Sequence, residues 1–330
     1  MARVRTELHN EHMVYVLEDT AAGSSARILP EFGFNCYSFR TRVDGREWEL
    51  MRSDDKFADQ PARASANGTP VLFPFPNRIR GGRFEFGGRT FDLPKDKRGV
   101  HAIHGFVIDR PWRVTAVAGG PAPSVTGQFQ LSQDAPEMIG RWPADFVIEM
   151  TYRLELNRLT SVVRVMNPDS KPLPWGFGTH PYFRLPLEPG GDESRATVFA
   201  PVGERWELED FLPTGQRTAV AGATGLDGAR PLSELKFDDV FTKLKFDAGW
   251  CTCRMTDRAA GAAIHFRFDS FFRELIIYTP PARGAVCLEP YTCTTDAINL
   301  EPRGIDAGLR VLQPGDSAQG TMELSAAAIG

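Results

Sequence analysis

A chain of 330 residues with 42% hydrophobic and 24% charged residues can bury a sizeable core and shows none of the bias of a disordered, fibrous or collagen-like protein. Its 38 basic and 42 acidic side chains leave a formal charge of −4, which offers a polyanionic partner little and argues against nucleic acid. The 31 glycines and 25 prolines point to many turns.

The first twenty residues carry early arginines but neither an apolar h-region nor a small-residue cleavage site. No window nears the ~18 apolar residues of a membrane span. The expectation is a soluble, cytoplasmic chain with no membrane partner. Period-2 alternation then dominates, beginning with "HMVYVLED" and "NCYSFRTRV". In "RFEFGGRTFDL", Phe84 and Phe86 precede Gly87-Gly88, and Phe91 and Leu93 follow. Paired glycines reach the positive φ angles of a primed turn, so this stretch predicts a hairpin. After the strand candidate "VTGQFQLS", "DFVIEMTYRLELN" and "RLTSVVRVMN" predict a longer hairpin with Tyr152, Leu154 and Leu156 on one side. "GWCTCRM" would put Cys251 and Cys253 on one strand face, and "AAIHFRFDS" and "ELIIYTP" continue the pattern.

Convincing helices are scarce, and a doubly wound α/β sheet would need helical stretches of about 10 to 15 residues between strands. One-sided alternation is what an antiparallel sheet packed on a core requires. No linker or repeat divides the chain. The expected fold is therefore all-β: a single large antiparallel β-sandwich domain over 1–330 with few short helices.

Four turn-rich or strand-end segments hold the candidate chemistry. "TPVLFPFPNRIRGG" presents Asn77 and Arg78, and the planar fork of an arginine suits vicinal hydroxyls or a carboxylate, with a plain surface role as the alternative. "GVHAIHGF" presents His101 and His104; a pair three apart can ligate metal, but no further ligand cluster stands nearby. "WGFGTHPYFRLP" is too broken by Gly and Pro for a helix, so His180 is either a turn-capping core histidine or a working one. "CLEPYTCTTDAINL" puts Glu289 after an apolar run, where desolvation raises a carboxyl pKa unless a salt bridge satisfies it. A histidine and a buried glutamate can run paired proton transfers near neutral pH. The five scattered cysteines fit reduced thiols better than a disulfide framework, and the C-x-C lacks a second pair for zinc. Walker and Rossmann phosphate loops, the G-x-S-x-G elbow and H-E-x-x-H do not occur, so neither a nucleotide cofactor nor a metal is expected.

In order, these segments resemble the aldose 1-epimerase (mutarotase) family. "NRI" at Asn77 to Ile79, the His-Gly of "HAIHGF" at His104, "THPYF" around His180, "DDVF" at Asp238, and Glu289 with "DAIN" behind it are similar to that family's motifs and run from about residue 67 to 300. Asp239 is the neighbouring register for the aspartate. The sequence departs from the family pattern at Ile276, where a glutamine is common, at Gly105-Phe106 in place of Gly-Gly, and around Glu289 relative to galactose mutarotases. The resemblance implies a cofactor-free β-sandwich isomerase acting on a small sugar, as monomer or homodimer. Glu289 would be its base and His180 its acid, Arg78, Asn77, His104 and Asp238 would hold hydroxyls, and Trp175 or Phe177 would stack on the sugar. The superfamily also holds hexose-phosphate epimerases, for which Arg78, Arg80 and Arg83 would supply the cations, and inactive sugar-binding domains. A glycosidase would need a flanking carboxylate pair, which the motifs do not supply.

Overall fold

The computed structural model describes residues 2–221, 225–226 and 228–329. Alternation becomes strand where it was expected, at His12–Asp19, Asn35–Val43, Ala262–Asp269 and Glu274–Tyr278. Gly87 and Gly88, with φ of 56° and 73°, turn Arg83–Phe86 back onto Arg89–Asp92, so that Phe84 and Phe91 stack at 5.0 Å. Val147–Glu155 pairs with Arg158–Met166, burying Met150, Tyr152 and Leu154. Leu156 does not join them. It lies in the turn between Glu155 and Arg158, at φ 54°, and is exposed, because reversing the chain takes its side chain off the strand face.

Three antiparallel sheets carry most of the molecule. The five strands from Ala2–His9 to Arg46–Glu49 form the first in sequence order. A nine-stranded sheet has Arg158–Met166, Ser317–Ala328 and Ala262–Asp269 at its middle, which brings the C-terminal strand into the centre. An eight-stranded sheet is centred on Asp238–Thr242, Glu274–Tyr278 and Ala285–Tyr291. The α-helices among the described residues, Leu131–Asp134 and Ala297–Leu300, are one turn each. No helix among them is long and apolar enough to cross a membrane.

One buried apolar cluster draws on all three sheets, with Leu17 and Phe39 from the first, Val125 and Phe268 from the second, and Phe241 and Val286 from the third. Phe34, just before the Asn35–Val43 strand, ties the first sheet to the second, stacking on Trp112 at 5.7 Å and on Tyr152 at 5.6 Å. Cys251 and Cys253 point into this core from one strand, and all five cysteines are buried and free.

The eight-stranded sheet positions the site. Leu275, Ile277, Val286 and Leu288 face the core. The alternate positions must then face the other way. Register aligns them in rows, Asp238 opposite Tyr278, Tyr278 opposite Cys287 and Cys287 opposite Tyr182, with Ile276 opposite Glu289 in the next row.

Candidate active site

Glu289 sits in mid-strand, 2% exposed, on the face that carries Ile276, Tyr278 and Tyr291. The Tyr291 hydroxyl donates to its Oε2 at 2.6 Å, as residues two apart on a strand can. His180 follows Gly178–Thr179, its backbone N–H donating to Pro70 O at 3.0 Å. The Tyr182 ring lies flat on the imidazole, 4.9 Å away and within 3° of parallel, and is itself tethered by its hydroxyl to Ser65 O at 2.8 Å. His180 Nε2 and Glu289 Oε1 are 3.3 Å apart.

His104 and Asn77 are held by facing turns. Both adopt left-handed backbone, at φ 63° and 53°, and the His104 N–H donates to Asn77 O at 2.8 Å. Arg78 and Ile103 pair beside them. A Cβ on Gly105, at φ 76°, would lie 2.0 Å from Phe73 O, so the residue after His104 has no alternative to glycine. The His104 ring stands edge-on to His180 at 5.7 Å. Arg78 donates to Asn77 Oδ1 at 2.9 Å. Arg78 Nε, His104 Nδ1 and His180 Nδ1 are buried with no hydrogen-bond partner in the protein.

These groups line a cavity of about 270 Å³, closed by Asp238, Tyr278 and Ile276 on the sheet side and Ser65 on the loop side. Burial drives the electrostatics. It pushes the Glu289 carboxyl well above the usual range, against the pull of the Tyr291 hydrogen bond. It drops His180 to about 4, and takes His104 well below an ordinary histidine with help from His180 and Arg78. Asp238 is raised by burial, with Arg78 opposing. Although the acid–base distance is that of an ion pair, these directions leave the one proton of the pair on the carboxyl and the imidazole neutral in the sugar-free site. A cavity of about 660 Å³ elsewhere is wider, but Arg254, Arg258 and His265 line it without a carboxylate, so it lacks the means for paired proton transfer.

The structure therefore brings Asn77, Arg78, His104, His180, Asp238 and Glu289 to one cavity. Asp239 lies on the other side of its strand and pairs with Arg205 at 3.3 Å. His101 accepts from the Gly81 N–H at 3.1 Å, outside the cavity lining. Trp175 and Phe177, expected to stack on a sugar, are buried in the core against Phe271 and Phe272; their strand segment aims them inward. Arg80 and Arg83 do not line the cavity either, Arg80 being 3.6 Å from Asp296. The cation beside Arg78 is Arg98: their guanidinium carbons lie 4.7 and 5.9 Å from the ring of Phe211, a 42% exposed residue at φ 65° in a hairpin turn. Sequence reasoning missed Tyr291, which its place two residues after Glu289 signals, and Phe211, Ser65 and Ile103, which carry no local signal.

Fold and cavity together define a β-sandwich protein with a buried glutamate and histidine side by side in a small polar cleft. The profile of the aldose 1-epimerase family matches residues 15–325, and the chain belongs to that family. An uncharacterised protein of Escherichia coli (strain K12), YihR, is 32% identical over 239 residues, 72% of each chain. A galactose mutarotase-like protein of Clostridium acetobutylicum superposes with a TM-score of 0.89 at 23% identity, over 99% of this chain and 98% of that one. A putative aldose 1-epimerase of Escherichia coli K12 gives 0.75 at 21% identity over the full length of both. These two structures are likenesses of fold.

Proposed function

We propose that the protein interconverts the α and β anomers of a free aldose by acid–base ring opening and reclosure. The observation that carries this reading is the 3.3 Å approach of His180 Nε2 to Glu289 Oε1 in a polar cavity. The ring oxygen and the anomeric hydroxyl oxygen of a pyranose share one carbon, so an acid and a base serving both must be neighbours. A glycosidase carboxylate pair would instead be ~5 Å or more apart.

The reactive form carries the single proton of the pair on His180. The Tyr291 hydroxyl and Arg78 favour this form by stabilising the Glu289 carboxylate. Glu289 takes the proton of the C1 hydroxyl, the C1–O5 bond breaks as C1=O1 forms, and His180 gives its proton to O5. Rotation about C1–C2 turns the other aldehyde face to O5. Reclosure returns one proton to His180 and one from Glu289 to O1, leaving the pair as it began. Arg78, Asn77, His104 and Asp238 hold the remaining hydroxyls, and neutral His104 does so without adding charge beside His180.

A single acid–base step contributes roughly 100- to 10,000-fold. Glu289→Gln and His180→Asn should each slow anomer exchange at least ~100-fold, read by polarimetry on fresh α-glucose or α-galactose with the fold checked by circular dichroism. Full activity in either variant sinks the reading, and sugar binding without exchange in the parent would make the protein a sensor. A phosphorylated aldose is the second reading, favoured by Arg98, which shares the ring of Phe211 with the cavity-lining Arg78. NMR exchange rates across free and phosphorylated hexoses and pentoses decide between the two.

A further inference from the structure

The strand that carries Glu289 turns a third reactive group to the same side. Cys287 precedes it by two residues, and its side chain packs among Tyr182, Ala285 and Tyr278. One ligand atom each from His180, Cys287 and Glu289 lies within 4.8 Å of the other two, and all three residues are buried. Nitrogen, thiol and carboxylate donors from two separate segments thus converge where the proposed chemistry needs only two of them.

Zinc-like cations take these donors at about 2.0 to 2.3 Å, which in a tetrahedron sets neighbouring ligand atoms roughly 3.3 to 3.7 Å apart. The His180–Glu289 separation of 3.3 Å already meets that spacing. The thiol needs to move by no more than about an ångström to complete a three-ligand face. The fourth position would face the cavity and take water. The ring of Tyr182, parallel to His180, restrains tilting of the imidazole, which lowers the cost of ordering the site.

We propose that His180, Cys287 and Glu289 form a binding site for a thiophilic divalent cation such as Zn²⁺, and that its occupancy stops anomer exchange. Binding exchanges two protons, one from the thiol and the one shared by the acid–base pair, for a double positive charge, so the buried site gains no net charge. The cation then occupies the lone pairs that the proton transfers require. Hard cations such as Mg²⁺, which demand oxygen ligands in octahedral array, do not fit this donor set. The inhibitory half of this proposal rests on the function proposed above; the binding half does not.

The test uses the full chain, freed of metal by chelation. Titration with Cd²⁺ should raise an ultraviolet thiolate-to-metal band that saturates at one equivalent and is removed by Zn²⁺. The band should be absent in Cys287→Ala and retained in Cys293→Ala, a buried cysteine outside the set. Exchange by metal-free Cys287→Ser and Cys287→Ala should stay within about twofold of the parent, while the Zn²⁺ concentration for half-inhibition rises at least about tenfold. No saturable band in the parent, or a Cys287→Ala variant as sensitive to Zn²⁺ as the parent, overturns the site. A metal-free parent that shows no exchange overturns the proposed function instead, and the Cd²⁺ band still decides the metal site.

Discussion

Glu289 and His180 occupy positions where charge is costly, and that cost shapes their pH behaviour. The proposed anomer exchange requires one proton on the pair. Below the depressed pKa of His180, about 4, the pair holds two protons and has no base; above the raised pKa of Glu289 it holds none and has no acid. The pH profile of kcat/KM should therefore fall on both sides of a plateau, with its acid limb near 4, and an acid limb at an ordinary histidine pKa of about 6.5 would contradict the assignment. The two neighbouring aspartates give a second check. Asp238 lines the cavity and Asp239 faces Arg205, so Asp238→Asn should lower kcat/KM by roughly 10- to 100-fold, as loss of a charged hydrogen bond does, and Asp239→Asn by less than about twofold. Nothing in "DDVF" separates these two chemically alike residues. Strand register does, because a slip of one residue exchanges the faces.

At the scale of elements, the turn around Gly105 joins backbone demand to site geometry. Its φ of 76° and the 2.0 Å a Cβ would leave to Phe73 O mean that Gly105→Ala pays twice. Left-handed backbone costs about 1–2 kcal/mol and the unrelieved overlap about 1–3 kcal/mol more. Urea unfolding should show a loss of roughly 2–5 kcal/mol, with slower exchange as His104 shifts. Gly87, at φ 56° but with open space around it, is the control: Gly87→Ala should cost only about 1–2 kcal/mol and leave exchange unaltered. The Gly87-Gly88 hairpin was legible in the sequence because its signal is local. The end of the Val147–Glu155 strand was less so, since Leu156 continues the apolar alternation but falls in the turn. Trp175 and Phe177 misled for a related reason: nearness to His180 in sequence says nothing of which way a ring points.

Across the whole molecule, the continuous core and Phe34 between its sheets predict one cooperative unfolding transition, with intrinsic fluorescence and far-ultraviolet circular dichroism coinciding. Phe34→Ala should lower the stability measured by that single transition by about 3–5 kcal/mol. Two separated transitions would instead mean independently folding units. The all-β class, the hairpins and the segments that hold Asn77, Arg78, His104, His180 and Glu289 followed from the sequence, because alternation, turn chemistry and residue type act over a few neighbours; "DDVF" came only from the resemblance to the aldose 1-epimerases. Tertiary structure decided which groups meet. It brought Glu289 to His180, turned Asp238 rather than Asp239 to the cavity, put Arg98 rather than Arg80 or Arg83 beside Arg78, and set Cys287 next to the Glu289–His180 pair. Those outcomes depend on register and packing between strands distant in sequence, and no local pattern encodes them.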